Sequence, residues 1–518
     1  MLFSSNIFLF FFLPAVVLGY HLIGRFGRIA VFSWLSFASL FFYGYWNPKY
    51  LFLLLASIAL NFSVARLIGW SKVERTRTVL LASGITANLA LLVWFKYLFP
   101  SLMYFHNAGW LSRSFGSVVL PLGISFFTFT QIAYLVDLKQ GAAELQGLLS
   151  YVLFVTFFPH LIAGPILHHK QMMPQFQRDR RGGLRADDFA VGFTWFVLGL
   201  SKKVLIADRF APVADEFYRN PQVFGIEGCW AGILAYAMQL YFDFSGYSDM
   251  AIGLARMFSI TFPINFNSPF KATNISDYWQ RWHMTLTQYI MSYVYAPVQL
   301  TVSRWRQNRG LKVSRRAQAT LPGMLQMVLF PTLFTMSLAG VWHGAGLQFL
   351  LYGLLHGLYL TIFHVWKLMV SETSILRRIL VAPFAVLLTF LCVVLGFVLF
   401  RASSVHQAIT VYSGAFGRHP NGARGLSGYL SSLPLSGKIF LHAGSFWFEI
   451  GLLLFVVWCL PNTQEIMDQV ELKDRGTSLV AGGLRWTPSA GWAFVVMFLT
   501  GYSLILLRAS TSFLYFQF

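Results

Sequence analysis

Apolar runs long enough to cross a hydrocarbon layer recur along the whole 518-residue chain, broken by short polar or basic stretches. Runs of this kind fall near residues 6–23, 29–47, 50–69, 79–100, 117–136, 149–166, 187–206, 229–258, 323–341, 346–369, 380–400, 444–460 and 489–508. The pattern predicts an all-α, polytopic membrane protein with about 11 transmembrane helices, since the runs need not all cross. It also predicts one unit over residues 1–518, because no internal repeat and no low-complexity linker divides the chain.

Residues 6–23 have no Lys or Arg before them, and Arg25 and Arg28 follow. A cleaved signal peptide carries its positive charge in front, so this run reads as a retained first span with the N-terminus outward. Counting from there puts Arg25, Arg28 and Lys72 to Arg77 in the cytoplasm. A crossing at 149–166 would then place the basic stretch containing Arg178, Arg180, Arg181 and Arg185 outside, against the positive-inside bias. A re-entrant segment over Phe157-Phe158-Pro159-His160-Leu161-Ile162-Ala163-Gly164-Pro165 resolves the conflict. Its two prolines and glycine interrupt helical hydrogen bonding, which survives at membrane depth only when buried in protein.

Composition reinforces the class: 56% of residues are hydrophobic and 11% charged, against roughly 25% charged for a soluble domain. The net charge of +20 would suggest nucleic acid in a soluble protein. Here the basic residues cluster in loops between apolar runs, where anionic headgroups hold them, and nucleic acid is not an expected partner. Arg304, Arg306, Arg309, Lys312, Arg315 and Arg316 form one such loop with no acidic residue. It reads as an ordinary cytoplasmic loop or as a landing surface for an anionic carrier protein or donor phosphates. The stretch Ser403–Lys438 is the longest expected extramembrane loop. Thr511–Phe518 is aromatic-rich, as an interfacial belt or a docking tail would be. Cys229, Cys392 and Cys459 lie among apolar residues with no paired spacing, so neither a disulfide framework nor a metal site is expected.

Polar groups inside apolar runs are costly and therefore mark candidate chemistry. Asp243 and Asp249 lie in Gln239-Leu240-Tyr241-Phe242-Asp243-Phe244-Ser245-Gly246-Tyr247-Ser248-Asp249-Met250, with a choice between orienting groups and helix ties. In Asp277-Tyr278-Trp279-Gln280-Arg281-Trp282-His283, helical spacing sets Trp279, Trp282 and His283 on roughly one face and Asp277 one turn from Arg281. In Leu338-Ala339-Gly340-Val341-Trp342-His343-Gly344-Ala345 an imidazole sits between glycines that let backbone or substrate approach. Histidine's unperturbed pKa of about 6.5 suits it to take a hydroxyl proton during acyl transfer. A membrane histidine is otherwise a packing residue, which leaves the glycines beside His343 unexplained. His356 reads as packing, His168 and His169 as loop-edge residues, and His160 as a cavity-lining candidate. The chain has no Gly-x-Ser-x-Gly elbow and no recognised metal spacing.

Four ordered stretches resemble the membrane-bound O-acyltransferase family, in its bacterial polysaccharide branch: Phe158 to Pro165, Tyr241 to Gly253, Trp279 to His283 and Gly340 to Ala345. Phe3-Ser4-Ser5-Asn6 and Tyr515-Phe516-Gln517-Phe518 also look like that branch, so the resemblance covers nearly the whole chain. It implies a multi-helix fold around a central funnel or tunnel, with the essential histidine at His343 and a second polar position at His283. Trp342, Asp243, Asp249 and Arg281 are the accompanying donor-binding candidates. It further implies a bacterial inner membrane location, no tightly bound cofactor, and acetyl-CoA as a cytoplasmic donor. Acetyl would pass across the bilayer to a periplasmic partner protein and a polysaccharide acceptor such as alginate. The long basic Arg304–Arg316 loop departs from the alginate branch and opens cellulose or another exopolysaccharide. D-alanyl transfer to a wall polymer is the rival within the family. A proton-relaying transporter is the rival outside it, against which stands the lack of an inverted repeat.

Overall fold

The computed structural model describes residues 1–107, 110, 119–177, 184–370, 382–419, 426, 430, 443–467, 484–507 and 513–514. Among these residues every extended element is a helix, as the apolar pattern requires. Six helical stretches are long and apolar enough to cross a membrane: Pro48–Trp70, Glu74–His106, Ala186–Arg219, Leu321–His343, Leu347–Leu368 and Pro383–Arg401. Four shorter apolar helices, Phe8–Gly24, Arg28–Gly44, Gly444–Cys459 and Ala490–Leu506, accompany them.

The chain forms two compact units, residues 1–200 with 247–263 and residues 201–246 with 264–518. The helix Ile226–Met257 is continuous over 32 residues and belongs to both. In the first unit the Pro- and Gly-interrupted stretch does not continue as a helix. Leu148–Thr156 is 9 residues long, roughly 14 Å at 1.5 Å per residue, which is too short to cross. Phe157 then turns the chain out of helical geometry and Phe158–Leu161 adds one buried turn. His160 closes that turn by a 2.9 Å contact between Nε2 and the Phe154 carbonyl, so it is a local tie rather than a cavity group. Gly123, at φ +71°, lies against it: a Cβ there would meet the Leu161 carbonyl oxygen at 2.4 Å. His169 opens the helix His169–Gln177 at the edge of a loop, yet it is buried and its Nδ1 lies 3.3 Å from Asp137. Arg178, Arg180 and Arg181 lie outside the described residues, as do Tyr515 to Phe518.

The second unit is organised around an antiparallel helix pair, Phe330–His343 and Leu347–Met369. Glycine sets their separation. A Cβ at Gly340 would lie 2.3 Å from the Phe349 carbonyl oxygen, and one at Gly353 would lie 2.2 Å from that of Met336. The two backbones touch at these positions, which is the close approach that small residues permit between membrane helices. Part of the expected loop Ser403–Lys438 is instead helical: Ser404 caps Val405–Ala415, whose Ala408 and Val411 are buried. The cap works because the Ser404 hydroxyl accepts from the Gln407 N–H.

Candidate active site

His343 is the last residue of its helix, and Gly344 leaves it in extended backbone. Its ring is packed edge-on against Trp342, Phe400 and Tyr352, with centroids 4.7, 5.0 and 6.3 Å away. The two glycines flanking it serve packing: Gly340 meets the partner helix backbone, and Gly344 faces the Phe349 ring. Sequence alone left open whether backbone or substrate approaches there; protein approaches both glycines, and Gly340 also lines the cavity beside His343.

Beside this imidazole runs a cavity of about 230 Å³. Its walls are drawn from Phe330–His343 (Thr332, Thr335, Met336, Ala339, Gly340), from Leu347–Met369 (Tyr352, Gly353, Leu360, His364), and from the stretch Ser276–Tyr295 (including Trp279, Leu286, Thr287, Ile290 and Tyr295). Because residues 332–343 lie along one helix, the cavity is a slot roughly 16 Å long, with His343 at one end and Thr332 and His364 at the other. An apolar slot with a few polar groups is the usual form of a small-molecule site.

The wall helix Met284–Ile290 continues through a wide turn into Ala296–Asn308. Gln299 donates to the Met327 carbonyl at 2.9 Å and Arg306 donates to Gln326, so this helix is fastened near the start of the His343 helix. The basic stretch begins on this helix with Arg304 and Arg306 and runs on beyond its end. Arg304, Arg309, Lys312, Arg315 and Arg316 are exposed, whereas Arg306 is buried and also donates to the Lys312 carbonyl at 3.1 and 3.2 Å. Five of the six cations thus form the charged surface and the sixth pins the loop.

The other candidates fall elsewhere. The expected helix through Trp279 and His283 breaks: Ile275–Trp279 ends, and His283 takes φ +43° before Met284 starts the next helix. Asp277 and Arg281 do pair, at 2.7 Å. His283 is fully buried, and its Nδ1 lies 3.0 Å from Asn265 Oδ1. The same Oδ1 accepts from the Thr285 N–H at 3.3 Å, which identifies it as oxygen and therefore puts the His283 proton on Nδ1. Thr285 Oγ1 adds a third donor at 2.9 Å. Asn265 is the organising residue that the sequence did not single out. Asn265→Leu removes an acceptor shared by three buried donors, and a loss of about 2–4 kcal/mol is expected. Thermal unfolding in detergent checks this, with no change in midpoint excluding the organising role.

Asp243 is also buried in the second unit. Its carboxylate lies 2.7 Å from Lys203 Nζ, which is itself 2.7 Å from Asp208, and it accepts from the Leu514 N–H at 2.8 Å. This is the geometry of a tie between helices and the chain near the C-terminus, with the carboxylate already engaged by protein. Asp249 is buried in the part of the long helix that belongs to the first unit. Of the six candidates, His343 lines the slot; Trp342 packs on its ring, and Arg281 is held by Asp277. His356 is fully buried within an aromatic cage of Tyr278, Trp279, Tyr352 and Tyr359, and its Nε2 is 2.7 Å from where a Cβ on Gly396 would sit. Among the described residues, no group of three or more His, Cys, Asp or Glu gathers as a metal would need.

The helical fold and the enclosed histidine acquire a family from comparison with known proteins. Residues 16–313 match the profile of MBOAT, the membrane-bound O-acyltransferase family. The chain belongs to the membrane-bound O-acyltransferase family. This acyltransferase is 36% identical over 501 residues to the peptidoglycan O-acetyltransferase of Helicobacter pylori, covering 90% of each chain. It is 36% identical over 428 residues to the probable alginate O-acetylase AlgI of Pseudomonas aeruginosa, covering 80% of this chain and 75% of the relative. The teichoic acid D-alanyltransferase of Bacillus subtilis is 29% identical over 293 residues, 55% of this chain and 70% of that one. The chain is therefore a membrane-bound O-acyltransferase.

Proposed function

We propose that this protein takes acetyl from a cytoplasmic thioester, acetyl-CoA, and passes it across the bacterial inner membrane for O-acetylation of an extracytoplasmic polysaccharide, with a periplasmic partner protein completing the transfer. The observation that carries this reading is the slot: an apolar passage with His343 at one end and, fastened near the other, a helix running into a cluster of exposed cations. The nucleotide phosphates rest on Arg304, Arg309, Lys312, Arg315 and Arg316, where charge favours them. The thin thiol arm threads the slot and sets the thioester carbonyl beside His343. The basic loop is cytoplasmic on this reading and the N-terminus faces outward, in keeping with the positive-inside bias.

Chemically, an acceptor hydroxyl attacks the thioester carbon while His343 takes its proton. Collapse of the intermediate breaks the C–S bond, and the proton moves from His343 to the leaving sulfur, so ester and free thiol result. His283, with its proton fixed on Nδ1 by Asn265, is the second polar group of the site. The final acceptor, reached through the partner, is alginate or a wall polysaccharide: relatives named for each share 36% identity. D-alanyl transfer is the second reading, favoured by the weaker and shorter match to the teichoic acid enzyme.

The test supplies the protein in lipid vesicles, together with its partner, with labelled acetyl-CoA and separately alginate or peptidoglycan. Free CoA and an alkali-labile acetyl ester on one polymer are expected. No thioester consumed with either polymer overturns the reading, and consumption of a D-alanyl thioester alone supports the second.

A further inference from the structure

Two donors in the slot wall lack the partners that the same groups find elsewhere in this unit. Helical threonines ordinarily return their hydroxyl to the carbonyl four residues back. Thr361, Thr389, Thr410 and Thr500 do so at 2.8, 2.7, 3.1 and 2.7 Å. Thr335 does not: its Oγ1 is buried and has no hydrogen-bond partner among the described residues. Indole N–H groups show the same contrast. Trp230, Trp447, Trp458 and Trp492 donate at 3.2, 3.0, 3.1 and 2.9 Å, whereas Trp279 Nε1 is buried without an acceptor among the described residues. Leaving a buried donor unpaired is costly, and both of these sit on side chains that line the one slot holding His343.

Thr335 is eight positions before His343, so it stands roughly 12 Å from it along the helix. That is too far to touch the reacting carbonyl. It is the depth at which the arm of a thioester lying in the slot would pass, and such an arm carries amide groups between thiol and nucleotide. We propose that Thr335 and Trp279 recognise the amide carbonyls of the donor's arm, making the slot selective for amide-bearing thioesters over simple ones. The inference rests on the thioester reading above. Both groups are hydrogen-bond donors, as a carbonyl requires. Rotation about χ1 moves the Thr335 hydroxyl to a second staggered position, since two rotamers are open to threonine in a helix. Trp279 is backed by the His356 ring, 5.2 Å away and nearly perpendicular, which holds the indole in the wall. The remaining lining, with Leu286, Ile290, Met336 and Leu360, supplies apolar surface for the methylene segments.

The experiment compares thiol release from S-acetylpantetheine, which has two amides, with release from ethyl thioacetate, which has none, using the whole protein in lipid vesicles with partner and polymer. The parent is expected to favour the pantetheine thioester in kcat/KM. Thr335→Val and Trp279→Phe each shrink that ratio about tenfold, the loss of one good hydrogen bond. Thr335→Ser, which keeps the hydroxyl, restores it. An unchanged ratio in both variants of an active parent overturns the assignment and leaves the thioester reading standing. Equal loss on both donors, shared by Thr335→Ser, also overturns it, since packing alone then accounts for the residue. A parent that releases neither thiol removes the thioester reading and this inference together.

Discussion

His343→Ala is expected to lower acetyl-CoA-dependent release of free CoA by about a hundred- to ten-thousandfold, the usual worth of a positioned general base. The residue ends its helix, and its ring is held against Trp342, Phe400 and Tyr352 rather than bridging two elements by charge. Its removal therefore enlarges one end of the slot and leaves the Gly340 and Gly353 contacts between the two helices intact. The cost in packing is that of a partly compensated cavity, about 1–3 kcal/mol, so the variant remains foldable and its thermal midpoint can be followed beside its rate. His343→Gln keeps volume and hydrogen bonding but supplies no base at neutral pH; it should be as slow as the alanine variant while unfolding nearer the parent. Added imidazole should recover part of the rate in the alanine variant, because the vacated end of the slot admits a ring of that size. Release by His343→Ala at the parent's rate would take His343 out of the chemistry and move the search to His283.

The slot itself was only partly legible in the sequence. Glycines at 340 and 344 marked His343 as unusual, and the structure gives both of them packing contacts, so the signal that singled out His343 has its cause in helix contact. The break before His283 was hidden because Asp277 to His283 reads as a regular helix; the left-handed backbone at His283 is stabilised by Asn265, eighteen residues earlier, which no local period reports. Thr335 was not marked at all and Trp279 only for its helix face, for a similar reason. An unsatisfied donor is a property of its surroundings, and the sequence shows only the donor. The charged loop was legible as a patch, but Arg306 looked like its neighbours until its bonds to Gln326 and the Lys312 carbonyl separated a structural arginine from five exposed ones. Part of the Ser403–Lys438 stretch was misread because Gly and Ser suggest loop, while the Ser404 cap and the buried faces of Ala408 and Val411 build a helix.

Lys203→Met should be the most destabilising single change in the second unit, at about 3–5 kcal/mol, because it strips the cation from two buried carboxylates. Lys203 follows Lys202 in sequence, which gives no hint that one ammonium is enclosed between Asp208 and Asp243 at 2.7 Å from each. All three groups are buried, so water cannot take over the screening when the lysine is lost. Asp243 also receives the Leu514 N–H, and the same substitution should loosen the chain near its C-terminus. The pairing makes a directional test. Asp243→Asn alone leaves Lys203 with Asp208 and is expected to cost less than Lys203→Met. Combined with Lys203→Met, it should recover part of the loss, since one uncompensated charge is then removed; the double variant would lie above Lys203→Met in thermal midpoint. Additive losses would mean that the 2.7 Å approach carries no coupling and that Asp243 acts through some other contact. If instead the double variant recovers stability but not acetyl transfer, Asp243 does more than tie the helices, and the sequence's first assignment of it to the donor site returns.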